Sequence, residues 1–158
     1  MLDEVTNLYV AIHSQPEHQF PMYGRDAFIE RTTAQCNRDG FELVSLRIDD
    51  QLIGFSFGLR FAAGKWWSDI APPPAAILDA TKFAVIELDV DEQLRRRGFG
   101  RELMNQLLAD RPEPYATLAA TVEGDAHAMY LRWGWRVIGR FTDEPVMDAL
   151  VKDLSQPR

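Results

Sequence analysis

The stretch Arg95-Arg96-Arg97-Gly98-Phe99-Gly100-Arg101 decides how this chain is read. Ahead of it, residues 83–90 (FAVIELDV) carry β-branched and aromatic side chains with apolar alternation, a strand pattern. Behind it, Leu103, Met104, Leu107 and Leu108 recur on one face at helical spacing. Three consecutive cations and two glycines therefore stand at a strand-to-helix turn. Gly98 and Gly100 let backbone N–H groups turn towards a ligand with no Cβ in the way. The helix that follows adds its own unbonded N–H groups and a positive dipole end. Exposed cations at such a terminus oppose the dipole at a cost of about 0.3–1 kcal/mol each. A solvated charged turn is the plain alternative, but a bound phosphate or pyrophosphate gives the cations a reason to be there.

The rest of the chain narrows what that anion is. At 158 residues, 46% hydrophobic and 26% charged, the chain reads as one globular domain over 1–158 with a sizeable core. No apolar run approaches the ~18 residues that span a bilayer, so no membrane partner is expected. The opening Met1-Leu2-Asp3-Glu4 lacks the basic segment of a secretory signal, and the single Cys36 cannot form an intramolecular disulfide. Both fit a reducing, cytoplasmic location. The formal net charge of −7 repels nucleic acid, so the basic turn is a local exception suited to a small anionic molecule. An acidic remainder also suits a cationic substrate such as an amine.

Periodicity gives the order of elements. Leu2, Val5, Tyr9 and Ile12 predict a helix over about 2–13, and Pro16 and Pro21 punctuate a loop. A second helix is expected over 26–38, with Phe28, Ile29, Thr32, Thr33 and Cys36 on one side and Gly40 ending it. From Phe41 the period is two, and Asp49-Asp50 divides two alternating runs into a hairpin. Residues 62–81, with Trp66-Trp67 and three prolines, are the least regular. Strand 83–90, helix 100–110, strand 115–122, a short helix at 125–133 closed by Gly134, and strand 135–141 follow. The tail 146–154 reads as a last strand or a frayed helix. The early hairpin forbids a purely doubly wound parallel fold, leaving a mixed α/β, α+β-like sheet layered with helices.

Known phosphate loops can then be compared. A dinucleotide fingerprint needs a third glycine where Leu103 stands, and no Gly-Lys-Ser/Thr run supplies a P-loop. What remains is R-x-x-G-x-G, met by Arg95, Gly98 and Gly100. Downstream, Ala126-His127-Ala128-Met129-Tyr130-Leu131-Arg132-Trp133-Gly134-Trp135 is similar to an A-x-x-x-Y-x-x-x-G-F helix end, with Trp for Phe. In this order and separation the two motifs resemble the GNAT superfamily of N-acetyltransferases, over about 2–154 and most specifically 83–141.

The resemblance implies a central mixed sheet of about six strands flanked by four helices, with the strand that usually precedes the first helix missing. It implies acetyl-CoA as co-substrate and a small-molecule or peptide amine as acceptor. Pantetheine contacts would come from the backbone of Leu88 and Val90, and pyrophosphate contacts from Arg95, Arg96, Arg97, Gly98, Phe99, Gly100 and Arg101. The family parts the strands equivalent to 83–90 and 115–122, and the cofactor lies in the opening. A homodimer is the default among oligomers.

Acetyl transfer needs a neutral amine, a polarised thioester carbonyl and a proton for the departing thiolate. A backbone N–H of strand 83–90 is the expected donor to the carbonyl. The resemblance makes Tyr130 the general acid at the coenzyme sulfur; the plain alternative is a core phenol on the apolar face Ala126, Met129, Tyr130, Trp133. Glu87 is the candidate base, because desolvation inside the strand would raise its pKa; a salt-bridged carboxylate is the alternative. Asp89 shares its face. Glu123, at a position the family often fills with Asn, is a cofactor or amine contact. Trp66-Trp67 is expected either to line the acceptor pocket or to pack on the hairpin. His13, His18 and His127 lack metal-ligand spacing, so no metal site is expected; His127 is read as solvent-facing and Cys36 as a small buried thiol.

Two other functions fit the same turn. A non-catalytic acyl-CoA-binding module would bind coenzyme without releasing thiol. A nucleotide- or S-adenosylmethionine-binding enzyme would be stabilised by those ligands and not by coenzyme A.

Overall fold

The computed structural model describes residues 1–14 and 20–155; Pro16 and His18 lie outside them. Helices α1 (Leu2–Ile12), α2 (Arg25–Cys36), α3 (Ala75–Leu78), α4 (Phe99–Leu108) and α5 (Asp125–Arg132) are interleaved with six strands. These are β1 (Glu42–Ile48), β2 (Gln51–Phe61), β3 (Lys82–Val90), β4 (Tyr115–Thr121), β5 (Arg136–Arg140) and β6 (Met147–Asp153). The strand order is β1-β2-β3-β4-β6-β5. β3 runs parallel to β4, whereas β1/β2, β4/β6 and β5/β6 are antiparallel. The sheet is thus mixed, as expected, and the tail forms a strand. None of the described helices is long and apolar enough to cross a membrane.

The described residues form five helices, not four. The extra one, α3, is four residues long and so too short to show a periodicity. Pro74 starts it, and the buried Lys82 ammonium ties down its end by donating to the carbonyls of Leu78 and Ala80, both at 2.8 Å. Burial lowers the Lys82 pKa, with Asp79 opposing.

The chain forms two compact units, Met1–Leu59 with Glu87–Ala109 and Arg60–Ile86 with Asp110–Arg158. In the first, β1 and β2 make the expected hairpin, and both turn residues, Asp49 and Asp50, have positive φ (50° and 66°). The core gathers Val5, Tyr9 and Ile12 of α1, Phe28 of α2, Ile53, Phe55, Phe57 and Leu59 of β2, and Leu103, Met104, Leu107 and Leu108 of α4. Fully burying a side chain of this size is worth about 1.5–3 kcal/mol. Gly54 is where β2 has no room for more: a Cβ would meet Leu103 Cδ1 at 3.0 Å and the Asp89 carbonyl at 3.1 Å.

On α2 only Phe28 and Thr32 of the expected apolar face are buried; Thr33 and Cys36 are exposed. Thr33 lies about 140° around the helix from Phe28 and Cys36 about 80°. Cys36 is also the final helical residue, so it is not the buried thiol expected.

In the second unit β3 pairs with β4 from Lys82↔Tyr115 to Val85↔Leu118, and β6 lies between β4 and β5. Trp67 packs: its Nε1 donates to Thr117 Oγ1 at 2.9 Å, and its ring meets Phe61 and Phe141 edge-on. His127 is not solvent-facing. Its Nε2 lies 2.8 Å from Oδ2 of the buried Asp148, which also accepts from Arg140 Nε at 2.7 Å. With the tail ambiguous between strand and helix, Asp148 had no predictable position.

The hydrogen bond from Arg140, followed by that from His127, holds the Asp148 carboxyl below its usual pKa against the opposing effect of burial. A depressed folded-state pKa contributes stability that is present above the unfolded value and lost as pH falls through the folded one. Asp148→Asn should therefore cost about 1–3 kcal/mol at neutral pH. The deficit should shrink as the parent is titrated below the ordinary carboxylate range. Urea unfolding across pH checks this; a pH-independent deficit would mean that the charge of Asp148 does not matter.

Candidate active site

The arginine-glycine turn lies in the first unit, where β3 passes into α4. Asp91 N–H donates to the Ile53 carbonyl at 2.8 Å, fixing the strand end, and the Asp91 carboxylate accepts from Gln93 N–H at 3.0 Å across a 3-10 turn. Arg95 then folds back, its Nε 3.4 Å from the Val90 carbonyl. Arg96 has φ 66° and Gly98 φ 85°, so the chain turns left-handed twice within three residues. A Cβ at Gly98 would meet nothing within 4 Å; the glycine is required by backbone conformation, not by space.

Gly98 is the N-cap of α4, with no side chain capping it. Intrahelical bonding begins with Glu102 N–H to the Gly98 carbonyl at 3.0 Å. The N–H groups of Phe99, Gly100 and Arg101 precede it and point out of the helix start. Arg95, Arg96, Arg97 and Arg101 are all exposed around them. Directed amides, a helix dipole and a rim of guanidinium groups make an anion cradle. Leu88, half-buried, and Val90, buried, lead up to it on β3.

The opposite face of the same strand carries a titratable cluster. Glu87 and Asp89 point the same way, as alternation predicts. Arg31 of α2 brings its guanidinium to 3.8 Å from Glu87 Oε1 and donates to the Tyr9 hydroxyl at 2.7 Å. His13, immediately after α1, places Nε2 3.1 Å from Asp89 Oδ1. Its ring lies flat against Tyr23, with centroids 4.9 Å apart and planes 7° from parallel, and 4.2 Å from the Tyr9 ring. His13, Glu87 and Asp89 each offer an atom within 4.8 Å of the others, an arrangement that spacing in sequence could not reveal.

Burial pushes the Glu87 carboxyl well above its usual pKa, reinforced by the charge of Asp89 and a hydrogen bond between the two carboxyls, with Arg31 opposing. Burial also raises Tyr9 and Tyr23, so both phenols stay neutral. A raised carboxyl pKa contributes stability below the unfolded value and loses it as pH rises through the folded one. Glu87→Gln should therefore raise the Tm relative to the parent at alkaline pH and leave it unchanged near pH 4. A loss of Tm at neutral pH that disappears near pH 4 would instead show that Glu87 is an ionised partner of Arg31.

Tyr130 and Glu123 belong to the second unit. Tyr130 is buried on α5, its ring edge-on to Trp133 (5.8 Å) and Trp135 (6.1 Å). Glu123 is exposed in the turn after β4, and its carbonyl accepts from Thr121 Oγ1. Gly124 (φ 118°) then leads into α5, and Gly134 (φ 92°) ends that helix as the sequence predicts.

A family model described as "Acetyltransferase (GNAT) family" matches residues 2–135. The chain belongs to the GNAT acetyltransferase family. No curated protein matches it in sequence. Among solved structures, a protein from Pyrococcus horikoshii OT3 is 17% identical, with a TM-score of 0.70 over 99% of this chain and 91% of that one. An aminoglycoside 6'-N-acetyltransferase complexed with coenzyme A is 15% identical, with a TM-score of 0.64 over 99% and 91%. The PaiA N-acetyltransferase of Thermoplasma acidophilum, in complex with coenzyme A, is 13% identical, with a TM-score of 0.63 over 96% and 92%. At these identities the likeness is one of fold. The GNAT fold of the chain accounts for the strand–turn–helix that builds the cradle. The carboxylate–histidine cluster is assembled from this chain's own α1, α2 and β3.

Proposed function

We propose that the protein transfers an acetyl group from acetyl-CoA to a primary amine by direct attack in a ternary complex. The observation that carries this reading is the anion cradle at 95–101. It joins the same strand as a carboxyl pair, Glu87 half-buried and Asp89 buried, so donor grip and proton acceptor are only a few residues apart on β3. The Arg95–Arg101 loop holds the coenzyme pyrophosphate through its N–H groups and guanidinium rim, and the backbone of Leu88 and Val90 lies along pantetheine. A backbone N–H of β3 polarises the thioester carbonyl.

Glu87, whose environment raises its affinity for a proton, removes one from the acceptor ammonium. The amine nitrogen attacks the thioester carbon, the C–S bond breaks, and the Tyr130 hydroxyl gives its proton to the departing thiolate; the nitrogen loses its second proton to water as the neutral amide forms, and water returns a proton to the Tyr130 phenolate. Glu123 contacts cofactor or amine at its exposed turn. The acceptor is a small-molecule or peptide amine.

A free-thiol assay with acetyl-CoA against a chemically diverse amine panel tests the proposal. Amine-dependent thiol release, with the acetylated amine recovered, is the expected result. Tight coenzyme A binding with no thiol release across the panel would contradict transfer and indicate a binding module.

A further inference from the structure

The motif search gave His13 no role, yet the fold places it against the carboxyl pair. Two carboxylates facing one another in a partly buried site cannot both ionise without countercharge. Arg31 provides one positive charge on the Glu87 side. On the Asp89 side the only titratable cation among the described residues in contact is His13, at 3.1 Å. Imidazole is the side chain whose charge changes near neutral pH. Asp89 is buried, and its Oδ2 receives no hydrogen bond from an N–H of the described residues. Among the described residues, the groups that face the cluster are Tyr9 and His13 from α1 and its end, Tyr23 from the 3-10 turn Pro21–Tyr23, Arg31 from α2, and the two carboxyls from β3.

We propose that His13 is a positioning residue which, acting through Asp89, sets the protonation state of Glu87. One proton is shared along Glu87, Asp89 and His13. Moving it outward breaks the Glu87 O–H bond and forms an O–H bond on Asp89; that bond breaks in turn as an N–H bond forms at His13 Nε2. The result is an imidazolium beside the Asp89 carboxylate and an ionised Glu87. Glu87 is then free to take the proton of the acceptor ammonium, and the imidazolium loses its own to water when the cycle resets. The stacked Tyr23 ring and the Tyr9 ring hold the imidazole in the plane this transfer needs.

The inference rests on the acetyl-transfer reading for its catalytic consequence, but its core can be measured without turnover. Carboxyl-carbon NMR titration of the free protein should show Glu87 titrating about one to three pH units higher in His13→Gln than in the parent. In the unsubstituted protein the His13 ring carbons should shift in the same coupled steps as the Glu87 carboxyl, a readout that survives if the variant fails to fold. With an accepted amine, the acidic limb of kcat/KM should move to higher pH in His13→Gln by the same amount, and the rate should recover at alkaline pH. A Glu87 titration unchanged by the substitution, or a His13 ring that titrates independently of Glu87, would overturn the proposal. So would a rate loss equal at every pH. Absence of thiol release from the parent would instead contradict the acetyl-transfer reading and leave the NMR result standing.

Discussion

Replacing Tyr130 by phenylalanine should lower kcat by about 10²- to 10⁴-fold, the usual contribution of a positioned general acid, while KM for acetyl-CoA changes little. The ring is buried between Trp133 and Trp135, and phenylalanine keeps that packing, so the Tm should stay within a few degrees of the parent's. The contrast between lost turnover and retained fold separates a proton donor from a core phenol. Steady-state kinetics with the best amine from the panel, together with a melting curve, provides the check. Unchanged kcat would remove Tyr130 from the mechanism; a matching collapse of Tm would assign it to packing.

The second large effect is expected at the cradle. Changing Arg95, Arg96 and Arg97 together to alanine should weaken coenzyme A by about 100-fold or more, because each charge-assisted contact to phosphate is worth about 1.5–3 kcal/mol. The three side chains are exposed, and the contact of Arg95 with the Val90 carbonyl is long at 3.4 Å, so the fold should lose little. Relief of cationic repulsion at the start of α4 should even favour the apo protein slightly. Raising the salt concentration should weaken the parent's binding more than that of the variant. Equal affinity in parent and variant would leave the backbone amides as the whole receptor.

These expectations differ in how visible their origin was in the sequence. The turn was legible because its signal is local: a strand period, cations and glycines, then a helix period, all within about 25 residues. The hairpin at Asp49-Asp50 was legible for the same reason. Helix α3 was not, since a single turn stapled by Lys82 has no period and depends on a side chain whose carbonyl partners are set by the tertiary fold. The last strand was undecided, and with it went Asp148 and its partners His127 and Arg140.

At the site, Glu87 and Asp89 were visible as one face of a strand. What they face was not. His13 reaches Asp89 across 76 residues, and Arg31 comes from a different helix. A spacing rule for metal-binding or catalytic histidines examines neighbours in sequence and so set His13 aside. The one local hint was Tyr9 and His13 four apart at the end of α1, a titratable group following a buried aromatic on one helical face.

Calorimetric titration tests the central claim, that the 95–101 turn grips the pyrophosphate of the coenzyme. Coenzyme A and pantetheine, which carries the same thiol arm without nucleotide or pyrophosphate, are titrated in turn into the protein at low and moderate salt. Saturable coenzyme A binding that weakens with salt, and pantetheine binding at least about 100-fold weaker, is the expected result. Pantetheine binding as tightly as coenzyme A, with no dependence on salt, would contradict it.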